Sequence, residues 1–268
     1  MITAFIRRRL TAEQRYYIKL QIKGLKSIFS KENIDGLFCG NNLNKLALIY
    51  GTDKFNSHYY TPHYQKHLKR FKYKKINLLE IGVGGYENPL LGGKSLRMWR
   101  RYFPFAKIFA IDIYEKSALE ETRIKIFRGS QVDKTFLESV VNKIGEIDVI
   151  IDDGSHQNEH VINSFKILFP KLKDGGYYIV EDTQTSYWKK FGGDSKNLNN
   201  PNTSMGFFKS LTDSLNNKEF LIPNYEQTYF DKKIISMHFY HNLIFIRKGN
   251  NNEQSNAIVN NEPNEIIY

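Results

Sequence analysis

The chain has 268 residues, 41% of them hydrophobic and 25% charged, which suits one large soluble domain with extensions. No apolar run approaches the ~18 residues that span a bilayer. The single cysteine, Cys39, excludes an intrachain disulfide and a zinc–thiolate cluster and points to the reducing cytoplasm.

The net charge of +11 is concentrated at one end: residues 1–75 carry 16 Lys and Arg against 4 Asp and Glu, and the rest carries 23 against 24. A nucleic-acid enzyme more often spreads its basic residues around the active cleft, so no nucleic-acid partner is expected. Residues 1–31 read as a helix, with Ile18, Ile22, Leu25 and Phe29 on one stripe. Such a helix packs on the main domain or on a second subunit. The alternative is peripheral contact with an anionic membrane surface. Arg7-Arg8-Arg9 leads into polar residues, so no signal peptide is expected.

Residues 33–75 read as a connecting region. Its cluster of His58, Tyr59, Tyr60, His63 and Tyr64 either buries against a sheet or closes over a ligand, with Thr52 and Lys54 contributing. From residue 76 the pattern alternates between strand and helix. Strands are predicted at Ile76–Ile81, Lys107–Ile113, Ile124–Phe127, Ile147–Ile151 and Tyr177–Val180, and helices at Ser95–Tyr102, Lys134–Ile144 and Glu159–Leu172. This alternation implies an α/β fold with a mostly parallel sheet. Residues 189–206 read as a mobile loop. A helix at Met205–Leu215 and strands at Tyr225–Phe230, Ile234–Phe239 and Leu243–Arg247 follow, ending the sheet in an antiparallel hairpin.

Leu78-Leu79-Glu80-Ile81-Gly82-Val83-Gly84-Gly85 is a strand running into a glycine-rich turn, which lets a ligand approach the backbone. Glu87 stands where a dinucleotide fingerprint wants its third glycine, so a nicotinamide dehydrogenase is not expected. Glu80 either accepts from an ammonium group or fixes the loop. Asp112 ends the next strand, where an acid receives a ribose diol or caps a helix. Asp152-Asp153 and Glu181-Asp182 end two further strands. Carboxylates gathered at neighbouring strand ends repel one another unless a hard cation joins them.

With Gly51-Thr52-Asp53-Lys54, Ser95-Leu96-Arg97-Met98-Trp99, Arg128-Gly129-Ser130-Gln131 and Asp152-Asp153-Gly154-Ser155-His156, these motifs resemble the class I S-adenosylmethionine-dependent methyltransferases. More narrowly, they resemble the sugar O-methyltransferases of macrolide and aromatic polyketide tailoring, over roughly residues 48–248. The resemblance implies a Rossmann-like catalytic domain over residues 48–248; charge, periodicity and composition, outside the resemblance, give a basic helical extension before it (1–47) and a disordered tail after it (249–268). The resemblance also implies S-adenosylmethionine held by Thr52, Glu80, Gly82, Gly84, Ser95, Asp112, Ser130, Gln131 and Asp152, although Asp152 also suits a structural place. It implies Mg2+ held by Asp153, Glu181 and Asp182, and His156 as the base that deprotonates a sugar hydroxyl on the metal.

Tyr187 and Trp188 are candidates for the acceptor, because aromatic faces pack against sugar C–H surfaces. Core packing is their alternative. The expected acceptor is a glycoside or glycan, and the enzyme is expected to be a homo-oligomer. Competing readings are a methyltransferase of RNA or another polyanion, suggested by the basic N-terminal quarter, and a non-catalytic binding module of the same fold.

Overall fold

The structure, a computed structural model, describes residues 31–39, 42–259 and 262–263. The helix expected over residues 1–31 lies outside them apart from Lys31. Seven strands form the main sheet: β1 (Asn77–Ile81), β2 (Lys107–Asp112), β3 (Ile124–Arg128), β4 (Ile147–Asp152), β5 (Leu172–Glu181), β6 (Ile234–Tyr240) and β7 (Leu243–Lys248). Their order is β3-β2-β1-β4-β5-β7-β6. The first five are mutually parallel, and β7 runs antiparallel between β5 and β6. The expected parallel sheet with a terminal antiparallel hairpin is therefore present. The order reverses between β1 and β4, which opens a crevice at the carboxyl ends of those two strands.

Alternation along the strands sends residues to two cores. Leu78, Ile108, Val149, Ile151, Ile179 and Phe245 face one side. They pack against α2 (Leu43–Tyr50), α3 (Thr61–Leu68) and α4 (Lys94–Tyr102). Leu79, Ile111, Ile150, Tyr178, Val180 and Ile246 face the other. That side is covered by α5 (Lys134–Ile144), α6 (Asn158–Leu168) and α7 (Ser204–Ser210). Both sheet faces are thus sealed, which explains why these strands read as continuous apolar runs.

Several local expectations are corrected. The connecting region contains α1 (Lys31–Phe38), α2 and α3. Asn42 caps α2 by accepting from Lys45 N, and Gly51, at φ 67°, ends it. The strand expected at Tyr225–Phe230 gives way to a short helix, α8 (Tyr229–Lys233), started by a reciprocal Thr228–Asp231 capping box. Its aromatic residues carry β propensity, but two satisfied backbone N–H groups win locally. The helix expected over Met205–Leu215 divides into α7 and a 3-10 segment at Asp213–Glu219. The helix expected over Glu159–Leu172 stops at Leu168, and β5 begins at Leu172. The loop at 189–206 is anchored: buried Asn158 donates to the carbonyls of Thr185 and Phe191 and accepts from Ser204 N. The first part of the expected tail is also tied down, with Asn251 N donating to Lys232 O. Among the described residues, no helix is long and apolar enough to cross a membrane.

The histidine–aromatic cluster falls into two groups. One lies between α3 and β6. His67 bonds the Tyr240 hydroxyl at 2.9 Å and stacks on Phe245 with ring centroids 4.4 Å apart, while His63 stacks on Tyr240 at 3.7 Å. Burial lowers the pKa of His67 from 6.5 to about 4, assisted by His238, Lys66 and His63. The fold therefore wants His67 neutral. Its contribution is complete above pH 6.5 and is lost as the pH falls toward 4. Linkage sets that contribution at about 3 kcal/mol at most. His67→Gln, which can still meet the Tyr240 hydroxyl, should flatten the acid limb of thermal stability. An unchanged limb would disprove the assignment.

Candidate active site

The carboxyl ends of β1, β2, β4 and β5 supply the site. The backbone of the glycine turn leaves β1 at Gly82, φ 96°, and continues through Gly84, φ 76°. A Cβ at Gly82 would run into the Asp153 carbonyl, so glycine is needed for the turn to pass β4. A Cβ at Gly84 would meet only open space, leaving an accessible concave stretch of backbone. Asp112 braces the turn: Oδ2 accepts from Val83 N and Oδ1 from Tyr114 N, both at 2.9 Å. Asp112 thus spends both carboxylate oxygens on backbone N–H groups at the rim of the turn.

Asp153, His156 and Asp182 meet beside this turn. One ligand atom from each lies within 4.8 Å of the others. His156 Nε2 is 3.9 Å from Asp153 Oδ1 and 3.6 Å from Asp182 Oδ2. The other ring nitrogen, Nδ1, is buried without a hydrogen-bond partner. Asp182 Oδ1 accepts from the Tyr60 hydroxyl at 2.6 Å, and His58 Nε2 stands 3.8 Å from the same oxygen. Burial would raise the pKa of Asp182, but Tyr60, His156 and His58 together hold it below the ordinary carboxylate value. His156 and Asp182 both adopt left-handed backbone, φ 55° and 53°. Strained conformations of this kind persist where surrounding structure imposes them, typically at functional sites. Two carboxyl groups and an imidazole in one half-buried group fit a divalent cation.

Next to this group lies a buried knot of charge. Lys54, 1% exposed, places Nζ 2.7 Å from both Asp153 Oδ2 and Glu181 Oε1, and 3.4 Å from Glu80 Oε1. Burial opposes the ammonium, but Asp153, Glu181 and Glu80 outweigh it and hold its pKa well above the ordinary value. The Tyr64 hydroxyl donates to Glu181 as well. Burial raises the pKa of Glu80 to about 7 against the pull of Lys54, and burial with Asp153 nearby raises that of Glu181 well above normal. The site thus gathers three carboxyl groups around the Lys54 ammonium, and burial shifts two of them toward the protonated form.

The sequence-predicted residues are distributed unevenly around this centre. Asp153, Asp182 and His156 converge. Glu181 is 3% exposed and turned to Lys54 and Tyr64 rather than to His156. Glu80 is fully buried, with Oε2 accepting from Trp99 Nε1 at 2.8 Å and Ser95 bonding the same carboxylate. Its partners lie on α4 and on the Lys54 ammonium, not in the glycine turn. Ser95 acts through Glu80.

Asp152, read as a cofactor-side or a structural residue, is 1% exposed and takes the structural place. Its carboxylate accepts from Gln131, Ser164 and Tyr178 on the opposite sheet face. Asp153, the first residue past β4, turns instead to Lys54. Gln131, expected at the cofactor, accepts from Ser155 N and fixes the turn that carries His156. Thr52 is buried beside Asp53, and the Ser130 hydroxyl accepts from Val132 N within its own turn. Tyr187 and Trp188, 37% and 51% exposed, close the C-terminal end of the 3-10 segment that follows Asp182.

Sequence reasoning missed what Lys54, Tyr60 and Tyr64 do. The available signal was the i, i+4 spacing of the two tyrosines around Pro62 at the start of α3, which puts both on one face.

The chain is similar to known proteins. The profile of the family described as "Rhamnosyl O-methyltransferase/CmcI" matches residues 95–232. The mycinamicin VI 2''-O-methyltransferase of Micromonospora griseorubida is 43% identical over 80% of this chain and 55% of its own length. The demethylmacrocin O-methyltransferase of Streptomyces fradiae is 44% identical over 79% of this chain and 54% of its own. A solved structure of the MycE methyltransferase from the mycinamycin pathway, in complex with Mg, SAH and mycinamycin VI, superposes with a TM-score of 0.77 at 38% identity, covering 92% of this chain and 64% of that one. The chain spans little more than half the length of these curated relatives. With the profile matching half of its residues, the chain belongs to the rhamnosyl O-methyltransferase/CmcI family.

Proposed function

We propose that this chain transfers a methyl group from S-adenosylmethionine to a sugar hydroxyl of a glycosylated small molecule. Mg2+ would be held by Asp153 and Asp182, with Glu181 as the third acid, and His156 would accept the hydroxyl proton. The observation that carries the reading is the meeting of Asp153, His156 and Asp182 within 4.8 Å beside the glycine turn. It is supported by relatives named for methyl transfer to sugar hydroxyls and by the Mg and SAH named with MycE.

The sulfonium of the cofactor is already activated, so the protein's work is alignment and charge placement. A divalent cation supplies positive charge that eases loss of a hydroxyl proton and fixes the oxygen. Hard cations prefer oxygen ligands, which leaves the imidazole free as a base. The two carboxylates near His156 stabilise the imidazolium that proton transfer creates. Tyr60 holds Asp182 and Lys54 holds Asp153, so both acids are ordered in advance. The exposed rings of Tyr187 and Trp188 are the proposed acceptor platform.

Calorimetric titration with S-adenosylhomocysteine tests the reading directly. Saturable binding is expected, and no heat at high micromolar ligand would reject methyl transfer. Methylation of glycosides that survives chelation of divalent cations would reject the metal part alone.

A further inference from the structure

We infer that Lys54 is the internal counter-ion of this site: a positioning residue that clamps Asp153 and Glu181 together and competes with the divalent cation for them. The inference rests on the cation proposed above.

Lys54 is the cation of the knot, and its position is set by its surroundings. Its carbonyl accepts from Tyr60 N and Thr61 N at 3.1 and 3.2 Å, which locks its backbone to the start of α3. Its side chain, 1% exposed, then reaches between the ends of β4 and β5. Nζ lies 2.7 Å from an oxygen of each strand-end acid, and Glu80 closes a third side at 3.4 Å. An ammonium is a compact point charge, so it satisfies carboxylates from several directions as a metal ion does.

Two consequences follow from this placement. First, the acids stay assembled whether or not a divalent cation is present, because the ammonium prevents Asp153, Glu181 and Glu80 from repelling one another apart. Second, a divalent cation entering beside Asp153 feels a fixed positive charge a few ångströms away. At the effective dielectric of a partly buried site, that repulsion offsets a large part of the attraction of one carboxylate. Lys54 therefore sets the cation affinity below what the acids alone would produce. Glu181 can release Lys54 without losing every partner, since the Tyr64 hydroxyl also donates to it.

The test uses the full chain and Mn2+ as the probe, titrated calorimetrically at mildly alkaline pH into wild type and Lys54→Gln. Glutamine keeps donor groups and removes the charge. The expected result is a Kd for Mn2+ tighter by about tenfold or more. Affinity that is unchanged or weaker in a folded variant overturns the inference. If three unbalanced acids prevent Lys54→Gln from folding, the double variant Lys54→Gln/Glu80→Gln removes one acid with the lysine. The same tightening is expected there, and its absence is equally decisive. Failure of wild type and both variants to bind Mn2+ overturns the cation reading itself and this inference with it. A wild type that binds while its variants gain nothing overturns only the role of Lys54.

Discussion

Asp153→Asn should lower turnover by about a thousandfold or more, or about 4 kcal/mol of transition-state stabilisation, while S-adenosylhomocysteine binds nearly as tightly as before. Asparagine keeps the shape of the side chain and removes its charge. Asp153 is partly exposed, so the change costs little in packing. It also removes an acceptor that Lys54 and His156 share, at 2.7 and 3.9 Å. The glycine turn and Asp112, the proposed place of the cofactor, are untouched. The stabilisation that Mg2+ confers in thermal unfolding should disappear together with activity. Full activity in the variant, or loss of cofactor binding in parallel with turnover, would refute the division of roles proposed here.

His156→Asn should lower kcat by a factor of about 100 to 10,000, the range expected when a general base is lost, and leave the Mg2+ affinity within about threefold. Asparagine is the better replacement because residue 156 sits at φ 55°, where it is tolerated and alanine is strained. The two readouts separate the possible roles of the imidazole. Its Nε2 lies close enough to Asp153 and Asp182 for all three to serve one cation. If Mg2+ affinity falls as far as kcat, His156 is a ligand and another group takes the proton. If affinity holds and only kcat falls, it is the base. Restoration of part of the rate at higher pH, where hydroxide can replace the missing acceptor, would support the same conclusion.

The strands and the acids at their ends were legible from local pattern. A buried parallel strand is a short apolar run, and a charged residue at its end marks where burial stops. For this reason Asp112, Asp153, Glu181 and Asp182 could be placed at strand ends before any coordinates. The partition of Asp152 from Asp153 was half legible, since Asp152 ends the strand and Asp153 is the first residue past it, but the partners of Asp152, namely Gln131, Ser164 and Tyr178, come from three other elements. The helix at Tyr229–Lys233 was misread because its aromatic residues favour strands, while the capping box that decides it uses only Thr228 and Asp231.

The side-chain contacts of the site were not legible, because they join residues far apart in the chain. Lys54 meets Asp153 and Glu181 across separations of 99 and 127 residues, and Tyr60 meets Asp182 across 122. No window of sequence contains both partners. Nor does local pattern say that Glu80 spends its carboxylate on Trp99 and Lys54 instead of on a ligand.

The amino-acid sequence by itself determined the sheet, the glycine turn and the set of acids brought to the crevice, because these depend on hydrophobic period and backbone freedom over a few residues. Only the tertiary structure decided which acids face one another, which are satisfied by protein and which remain for a cation. That division depends on burial and on ammonium and hydroxyl groups delivered from a distant turn and the helix after it, and electrostatic pairing follows distance in space.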